Sequence, residues 1–445
     1  MTAQPPLRRH VLVIGGGASG VLMAYHLLRA APDARVTLIE RSPRIGIGLA
    51  YATEDPDHLL NTRVINMSAL PEDPEHFLRW LWQGNRAVSG ASFVSRATYG
   101  RYLESLLAPW AAGPRLRLVQ AEAVRLTEVP AGRVTLTLDD GQTLIADHAI
   151  LATGHPRPEA VHGLQADVTR VPLDPDLPVA ILGTGLSMVD QVTTLLKAGH
   201  RGTIFALSRR GLLPRVHGPG VPLATSLGEV PLGAPASVLL HWLRRQVRRA
   251  EIAGGSWRDA IDGVRPHVQG IWNALPGPER ARALRHAAAW WEVHRHRMPP
   301  ETAAGLAVAQ ARGQLRILRG AFDRVEPHKR GVWLHYRPHR KTGTTALNLA
   351  AVIDCRGVRR DPEIGASPLL RHLLDDGLAQ IDPLRLGLVT DRSGRIVTPA
   401  GETSHVLQAI GPAARAALWE ITAIPDIRTQ TARIATELSG APATR

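Results

Sequence analysis

Three glycines at a fixed spacing follow an apolar run near the start of the chain. Gly15, Gly17 and Gly20 form the pattern G-x-G-x-x-G directly after the β-branched run 11–14. In such a turn the first glycine permits the tight bend, the second lets a phosphate approach the backbone, and the third lets a helix pack on a strand. A helical pattern follows at 21–29, so its N-terminus would offer backbone N–H donors to an anion. The pattern predicts binding of a dinucleotide pyrophosphate.

An acidic residue completes this arrangement. The next β-run, 36–39, ends at Glu40, about twenty residues after the turn. A carboxylate at that place can accept hydrogen bonds from ribose hydroxyls. A glycine-rich turn that binds nothing is the alternative, but strand, helix and acid in this order favour a binding site. Gly46 and Gly48, which follow, predict either a loop close to the bound cofactor or an ordinary turn.

The same pattern starts again in the middle of the chain. Residues 178–190 predict a strand, a turn with Gly183 and Gly185, and a helix. Met188 stands where the third glycine would be, so we expect this helix to lie slightly further from its strand. The repeat predicts a second dinucleotide site.

The second site lacks the acid of the first. Its next β-run, 203–207, is followed by Ser208, Arg209 and Arg210. A guanidinium matches the oxygens of a 2′-phosphate, so this site is predicted to bind NADPH rather than NADH. The alternative is an exposed, charged end of a strand.

The strand pattern predicts how these turns are positioned. Segments 149–154 and 352–357 each read as a buried strand ending in glycine, and Pro156 and Pro158 indicate a domain crossing after the first. Residues 234–312 form a long helical stretch that interrupts the repeat. We therefore expect an α/β fold with two nested Rossmann-like domains and a helical insertion. The predicted domains are 1–175 and 356–445 for the first dinucleotide, with 176–355 inserted between them for the second.

The composition limits the function. The net charge is +14, yet only three of 53 basic residues are lysine and the arginines are scattered. That distribution disfavours nucleic acid and suits a phosphorylated cofactor or an acidic small substrate. No apolar run reaches the length of about 18 residues that spans a membrane. Arg8 and Arg9 precede only a short strand and no cleavage site, so we expect a soluble cytoplasmic protein rather than an exported one.

The other reactive side chains give no clear sign of a nucleophile, a redox pair or a metal site. Cys355 is the only cysteine, which excludes a disulfide or a redox pair within the chain, and we expect it to serve packing rather than act as a nucleophile. His294 and His296 stand two apart on a predicted helix and do not share a face, so no metal site is predicted there. No catalytic residue is predicted.

The chain resembles flavoproteins with two dinucleotide-binding domains over nearly its whole length. AILATG at 149–154, VIDCRG at 352–357 and QAIGP at 408–412 look like that group's crossover strands and last FAD-contacting strand. HLLNTRVINMSALPEDPEHFLRWL, GTGLSMVD and ALWEITAIPDIR are similar to a bacterial family of FAD/NAD(P)-binding proteins. GTGLS, ATGHPRP and SRATYGRYL also resemble the N-hydroxylating flavin monooxygenases that act on ornithine, lysine and similar amines.

This resemblance implies FAD in the first site, NADPH in the second, and Met67, Ser68 and Arg96 along FAD. The predicted FAD contacts are Gly15, Gly17, Ser19, Gly20, Glu40, Arg41, Gly48, Asn61, Met67, Ser68, Arg96, Thr153, Gly154, Gly411 and Pro412. The predicted NADPH contacts are Gly183, Gly185, Ser187, Arg209 and Arg210. The last helix, predicted to begin near Ile427 after Pro425, has an N-terminus that could face a polar ring or phosphate.

Three functions fit these expectations. The first, implied by the resemblance, is a monooxygenase in which NADPH reduces FAD and a flavin C4a-hydroperoxide formed with O2 oxygenates a small nucleophilic substrate such as an amine. The second is an NAD(P)H-dependent flavin reductase or electron-transfer flavoprotein. The third is an FAD-binding redox sensor without catalysis. The substrate and the oligomeric state are left open by the sequence.

Overall fold

The structure, a computed structural model, describes residues 9–84, 86–130, 132–155, 161–357 and 361–440. It divides into two units. Unit 1 consists of Met1–Pro56, Thr62–Arg157 and Arg359–Arg445, and unit 2 of Asp57–Asn61 and Pro158–Val358.

Unit 1 is built on a parallel sheet. Its elements are β1 (Arg9–Ile14), α1 (Ala18–Ala30), β2 (Ala34–Glu40), α2 (His76–Gln83), α3 (Arg96–Leu106), β3 (Leu116–Gln120), β4 (Ala123–Val129), β5 (Arg133–Leu138), β6 (Thr143–Ala146), β7 (His148–Leu151), α11 (Pro368–Asp375), β14 (Arg395–Val397), β15 (Thr403–Ala409) and α12 (Ile424–Ser439). Within the described residues the strand order is β14-β15-β7-β1-β2-β3, and every pair except β14–β15 is parallel. A separate antiparallel sheet, β4-β5-β6, has the turn between β5 and β6 at residues 139–142.

Apolar alternation and continuous apolar runs explain this layout. The central strand β1 is buried along Val11–Ile14, as expected for a strand covered on both faces. Side chains from β1, β7 and β15 share one core with the alternating apolar residues of β4 and β5. Strand β15 pairs with β7 in register Leu407↔Ala149, so the C-terminal part of the chain completes the first sheet.

Unit 2 repeats the parallel order. Its elements are β8 (Val179–Leu182), α4 (Leu186–Lys197), β9 (Ile204–Ser208), α5 (Ala236–Ile252), α6 (Trp257–Val264), α7 (Val268–Ala274), α8 (Gly277–His286), α9 (Ala288–Arg295), α10 (Pro300–Ala311), β10 (Leu315–His328), β11 (Gly331–Pro338), β12 (Thr345–Leu349) and β13 (Ala351–Asp354). The sheet order over the described residues is β12-β11-β10-β9-β8-β13, with β13, β8, β9 and β10 parallel. Helices α5 to α10 form the predicted insertion.

The fold class is confirmed: two largely parallel sheets each carry a glycine turn between the first strand and the first helix of a repeat. The two units divide at 157/158 and 358/359, whereas the predicted domains divide at 175/176 and 355/356. Residues 165–171 lie with unit 2 because the Gln165 N–H donates to the Val352 carbonyl oxygen at 2.9 Å. Pro156 and Pro158 lie outside the described residues.

A short segment of the N-terminal part also belongs to unit 2. In Asp57–Asn61, His58 Nε2 lies 2.8 Å from Thr194 Oγ1, and Asp57 pairs with Lys197 Nζ at 2.7 Å. Both partners are on α4. The sequence does not predict that this segment belongs to unit 2, because the contacts join residues far apart along the chain.

The start of the last helix differs from the prediction. Helix α12 begins at Ile424 and contains Pro425 in its first turn. Proline fits there because the N–H that it lacks has no intrahelical partner at a helix start. Among the helices described, none has an apolar stretch long enough to cross a membrane.

The third glycine of the first turn gives a stability prediction. A Cβ atom at Gly20 would lie 1.8 Å from the carbonyl oxygen of Gly15, whereas one at Gly305, in α10, would meet no described atom within 4 Å. We expect Gly20→Ala to lower the free energy of unfolding by about 1–3 kcal/mol. Gly305→Ala should instead raise it by up to about 1 kcal/mol, because alanine favours the helix.

Thermal denaturation followed by circular dichroism measures both variants against wild type. Equal melting temperatures for the two variants would contradict the assignment of Gly20 as a packing glycine.

Candidate functional site

The first glycine turn is held against the neighbouring strand β7. Gly15 has φ +106°, and a Cβ atom there would lie 2.4 Å from the carbonyl oxygen of Ala152. The Gly15 N–H donates to the Ile39 carbonyl oxygen, and the Ala152 N–H donates to the Ile14 carbonyl oxygen, each at 2.8 Å. The bend therefore requires glycine for both its φ and its space.

The N-terminus of α1 is left open for an anion. Gly17 is its N-cap residue, no described side chain caps it, and its first turn carries no acid. A Cβ atom at Gly17 would have a single described neighbour within 4 Å, the Gly48 Cα atom at 3.7 Å. Unpaired N–H groups facing open space suit a phosphate, so the residues present fit the pyrophosphate of a dinucleotide.

Glu40 holds the turn together. One carboxylate oxygen accepts from the Gly16 N–H at 2.6 Å, and the other accepts from the Ser42 N–H at 2.8 Å. Each carboxylate oxygen has a second acceptor position, so these bonds leave capacity for the predicted ribose contact. Glu40 thus combines a structural role with the binding role, which stays a prediction.

The loop after Glu40 passes over the glycine turn. The Gly46 N–H donates to the Gly16 carbonyl oxygen at 2.6 Å, and a Cβ atom at Gly46 would lie 3.0 Å from Leu103 Cβ on α3. Gly48 is exposed above Gly17. This places the loop at the predicted cofactor site. Arg41, also predicted as a contact, is ion-paired with Glu122 at 3.3 Å on the surface.

The ends of β7 and β15 border the same turn. Thr153 is exposed, and Gly154 has φ +68° with no described atom within 4 Å of a Cβ position. Gly411 has φ +58°, and a Cβ atom there would lie 2.4 Å from Ser19 Oγ on α1. Pro412 follows in a short 3₁₀ turn. These residues gather at the carboxyl edge of the sheet, where open α/β sheets bind ligands.

Other predicted FAD contacts have mainly structural partners. Ser68 is fully buried, and its hydroxyl donates to the Asp73 carbonyl oxygen at 2.6 Å. Met67 is also buried, and Arg96 lies in the first turn of α3. Asn61 belongs to unit 2, where its carbonyl oxygen lies 3.0 Å from His217 Nε2. Their contact with a cofactor stays a prediction.

The second turn repeats the features of the first at its first two glycines. Gly183 has φ +109°, and a Cβ atom there would lie 2.3 Å from the carbonyl oxygen of Cys355 at the end of β13. Its N–H donates to the Leu207 carbonyl oxygen at 2.8 Å. Gly185 is the N-cap of α4, with no acid in the first turn and no capping side chain among the described residues. Ser187, in that turn, is exposed. This site also fits a pyrophosphate.

Ser208 replaces the acid in unit 2. Its hydroxyl accepts from Thr184 Oγ1 at 2.9 Å and from the Gly211 N–H at 3.0 Å, so it ties the strand end to the turn as Glu40 does in unit 1. The sequence indicates only that the acid is missing. This role could have been found by aligning the two repeats.

The two arginines after Ser208 have different surroundings. The guanidinium of Arg210 donates to the carbonyl oxygens of Arg285 and His286 at the end of α8, the latter at 3.0 Å. Arg209 is exposed. Arg210 therefore holds the helical insertion, and Arg209 is the better candidate for the predicted 2′-phosphate contact.

The remaining reactive side chains are engaged in the fold. Burial raises the pKa of the Cys355 thiol to about 12, which suits packing rather than nucleophilic chemistry. His296 lies 3.1 Å from Glu292, and His294 Nδ1 lies 2.7 Å from the Trp290 carbonyl oxygen. In the described part of the chain, no group of three or more His, Cys, Asp or Glu side chains is arranged to hold a metal ion.

Comparison with known proteins shows which families and structures this chain is similar to. Residues 12–156 match a family model described as FAD-NAD(P)-binding. Over 247 residues the chain is 30% identical to the nitrosuccinic acid synthase of Aspergillus oryzae, an alignment covering 46% of this chain and 37% of that protein. The chain therefore spans little more than a third of the length of this curated relative.

Two solved structures share the fold over almost the whole chain. The ornithine N-hydroxylase of Kutzneria sp. 744, solved with reduced FAD, NADP+ and L-ornithine, is 16% identical with a TM-score of 0.64, covering 97% of this chain and 98% of that chain. The L-lysine 6-monooxygenase of Pseudomonas syringae is 15% identical with a TM-score of 0.65, covering 97% and 100%. The predicted likeness in fold to the N-hydroxylating enzymes is confirmed.

A substitution at Gly17, the second glycine of the first turn, tests cofactor binding separately from folding. We expect Gly17→Glu to give a folded but colourless protein, because the backbone leaves room for a Cβ atom while a longer, negative side chain would occupy the place of the pyrophosphate. Flavin absorbance after reconstitution measures the effect, and the melting temperature of the flavin-free proteins is the control. Wild-type flavin content in the variant would contradict the assignment.

We expect different effects from substitution of the two arginines. Arg209→Ala should raise the apparent KM for NADPH about tenfold, the effect expected from loss of one charge-assisted hydrogen bond. The apparent KM for NADH should stay nearly unchanged. Arg210→Ala should lower the melting temperature and affect both nicotinamides alike, because its partners are backbone carbonyls of α8. Steady-state flavin reduction with each nicotinamide measures both. Added salt should weaken NADPH binding more than NADH binding.

Proposed function

We propose that this chain is an FAD- and NADPH-dependent oxidoreductase that oxygenates the nitrogen of a small amine. FAD lies in unit 1, against the turn of Gly15 and Gly17. NADPH lies in unit 2, against the turn of Gly183 and Gly185. The observation that carries the proposal is the pair of glycine turns built to the same geometry, each ending in a helix N-terminus that is open to a phosphate.

The relatives in fold support the reaction class. Hydroxylation of ornithine or oxygenation of lysine is what the names of the two structural neighbours state. Nitrosuccinic acid, named for the curated relative, is a dicarboxylic acid that carries an oxidised nitrogen. All three names involve amines or their oxidation products, and this common chemistry supports a small amine as the substrate here.

The chain's own residues would bind and orient rather than transfer protons. When bound, reduced flavin supplies the activation of O2. The α1 and α4 N-termini hold the two pyrophosphates, Glu40 fixes the first turn, and Arg209 selects the phosphorylated nicotinamide. Thr153, which is exposed, and Gly154, which is half-buried, follow β7 and stand where a ring system could lie along the sheet edge.

A reductase is the second candidate. It is supported by the same two turns, since electron transfer from NADPH through FAD needs no further site. The single cysteine excludes a reductase that works through a dithiol within the chain. A redox sensor without catalysis needs only the first turn, which leaves the second turn and its open helix without a purpose.

Product analysis distinguishes these functions. Protein reconstituted with FAD is mixed with NADPH and O2, with and without L-aspartate, L-ornithine or L-lysine. An oxygenase should consume NADPH faster with one amine and form N-oxygenated product in proportion. A reductase should release hydrogen peroxide in proportion to NADPH with every amine, and a sensor should not be reduced by NADPH. Either of the last two outcomes rejects the proposal.

A further inference from the structure

Helix α5 of unit 2 has one side packed on the protein and the other side facing solvent. The packed side buries Trp242, Gln246 and Ala250, which follow one another at intervals of four residues. The helix belongs to the insertion 234–312, which interrupts the dinucleotide-binding repeat and contains no predicted cofactor contact. The solvent-facing side therefore needs an explanation other than cofactor binding.

Three arginines on the solvent-facing side carry charges that the folded chain does not neutralise. Arg244, Arg245 and Arg248 are exposed, and within the described residues their guanidinium groups have neither a hydrogen bond nor an ion pair. Glu251, the single acid of α5, pairs with none of them in the described part of the chain. Like charges three and four residues apart destabilise a helix. The sequence thus retains a cationic face at a cost in stability.

The helix dipole does not explain these charges. It favours cations in the last turn of a helix, and the basic residue in the last turn of α5 is Arg249. Arg244 and Arg245 lie a full turn or more before it. The fold can neutralise an arginine of the insertion, since Arg297 forms a two-pronged ion pair with Asp262. An anion outside the chain is the simplest counter-charge for the arginines of α5.

Large apolar side chains border the same cations. Val238 is 46% exposed and Ile252 is 88% exposed. Each stands seven residues from Arg245, so the three lie along one line of the helix, about 21 Å long. Of the fifteen exposed large apolar side chains in the described residues, seven lie within 221–290. A partner of this face should therefore cover apolar surface as well as charge.

A lipid bilayer with anionic headgroups matches this combination. Its surface offers negative charge directly above an apolar layer, whereas nucleic acid offers phosphates at its surface without such a layer. Arginine stems can lie along the apolar layer while the guanidinium groups stay with the headgroups. The convex side of a helix also suits a planar surface, while protein partners place their anchoring side chains in pockets.

We propose that the outer face of α5, formed by Val238, Arg244, Arg245, Arg248 and Ile252, is a docking surface for a membrane that contains anionic phospholipids. The arginines contact the headgroups, and the two apolar side chains enter the interface. The binding is peripheral. It requires no step of the proposed N-oxygenation, so the two proposals stand or fall separately.

Co-sedimentation with phospholipid vesicles tests the charged part of the face. Protein reconstituted with FAD should bind vesicles of phosphatidylcholine mixed with phosphatidylserine, and should bind phosphatidylcholine vesicles far more weakly. Added salt should weaken the binding, because exposed charges are screened. The triple variant Arg244→Gln, Arg245→Gln, Arg248→Gln should lower partitioning onto the mixed vesicles on the order of a hundredfold, from about fivefold per arginine.

A second triple variant is the matched control. Arg312 follows α10, Arg330 precedes β11 and Arg337 lies in β11. All three are exposed, and in the described part of the chain their guanidinium groups also have no partner. Replacing all three by glutamine changes the net charge by the same amount, yet should lower partitioning less than about fivefold. Melting temperature and flavin content show whether each variant is folded and loaded.

A single substitution tests the apolar part of the face. Ile252→Ser should lower partitioning onto the mixed vesicles about tenfold, because the isoleucine side chain no longer leaves water on binding. The factor should be similar at low and high salt, since this contribution carries no charge. Val308→Ser, a comparable change at a half-exposed side chain of α10, should leave partitioning unchanged.

Three results overturn the inference. Wild-type protein that binds neither kind of vesicle has no membrane-docking face of this type. Equal losses in the two triple variants would show that net charge, rather than the outer face of α5, attracts the lipid. Binding to a short DNA duplex that exceeds binding to the mixed vesicles, and that the α5 variant loses, would assign the face to nucleic acid.

Discussion

In both units a backbone carbonyl oxygen occupies the place where any residue but glycine would carry its Cβ atom. The oxygen belongs to Ala152 beside Gly15 and to Cys355 beside Gly183. This contact joins the first strand of each repeat to the strand that ends the repeat, and it aims the following helix at the sheet edge. The open N–H groups, the approach of the flanking loops and the position of the second strand all depend on it. One steric constraint, applied twice, thus generates two sheet edges that each face an uncapped helix N-terminus.

The parts of this fold that sequence predicts are those governed by local sterics. Glycine spacing after an apolar run predicts both turns because few backbone paths satisfy it. The bonds of Glu40 to Gly16 and Ser42 are not predicted, since a carboxylate can choose many partners and only coordinates decide. Arg209 and Arg210 are neighbours in sequence yet have different surroundings, because Arg210 donates to carbonyl oxygens at the end of α8 while Arg209 is exposed. Contacts between distant residues, such as His58 with Thr194, leave no local signal.

The excess of arginine has a structural explanation in part. Arg115 donates to the carbonyl oxygens of Leu28 and Ala31, where α1 ends, at 2.8 and 2.6 Å. Arg280 donates to three carbonyl oxygens at the C-terminal end of α7, and Arg258 donates twice to one in the loop before the insertion. A planar guanidinium with five donors can satisfy several such carbonyls at once, which lysine cannot. At these positions the positive charge therefore serves the backbone.

The interrupted path of unit 1 also orders events during synthesis. Strand β15 supplies the second neighbour of β7, yet it follows the whole of unit 2 in the chain. The first sheet is incomplete until residue 409 has left the ribosome, while nearly all of unit 2 is one continuous stretch. A growing chain can finish the second repeat while the edge of β7 is still bare. An unpaired apolar strand edge invites pairing with other chains, so the interval between β7 and β15 is the period when this protein is most exposed to aggregation.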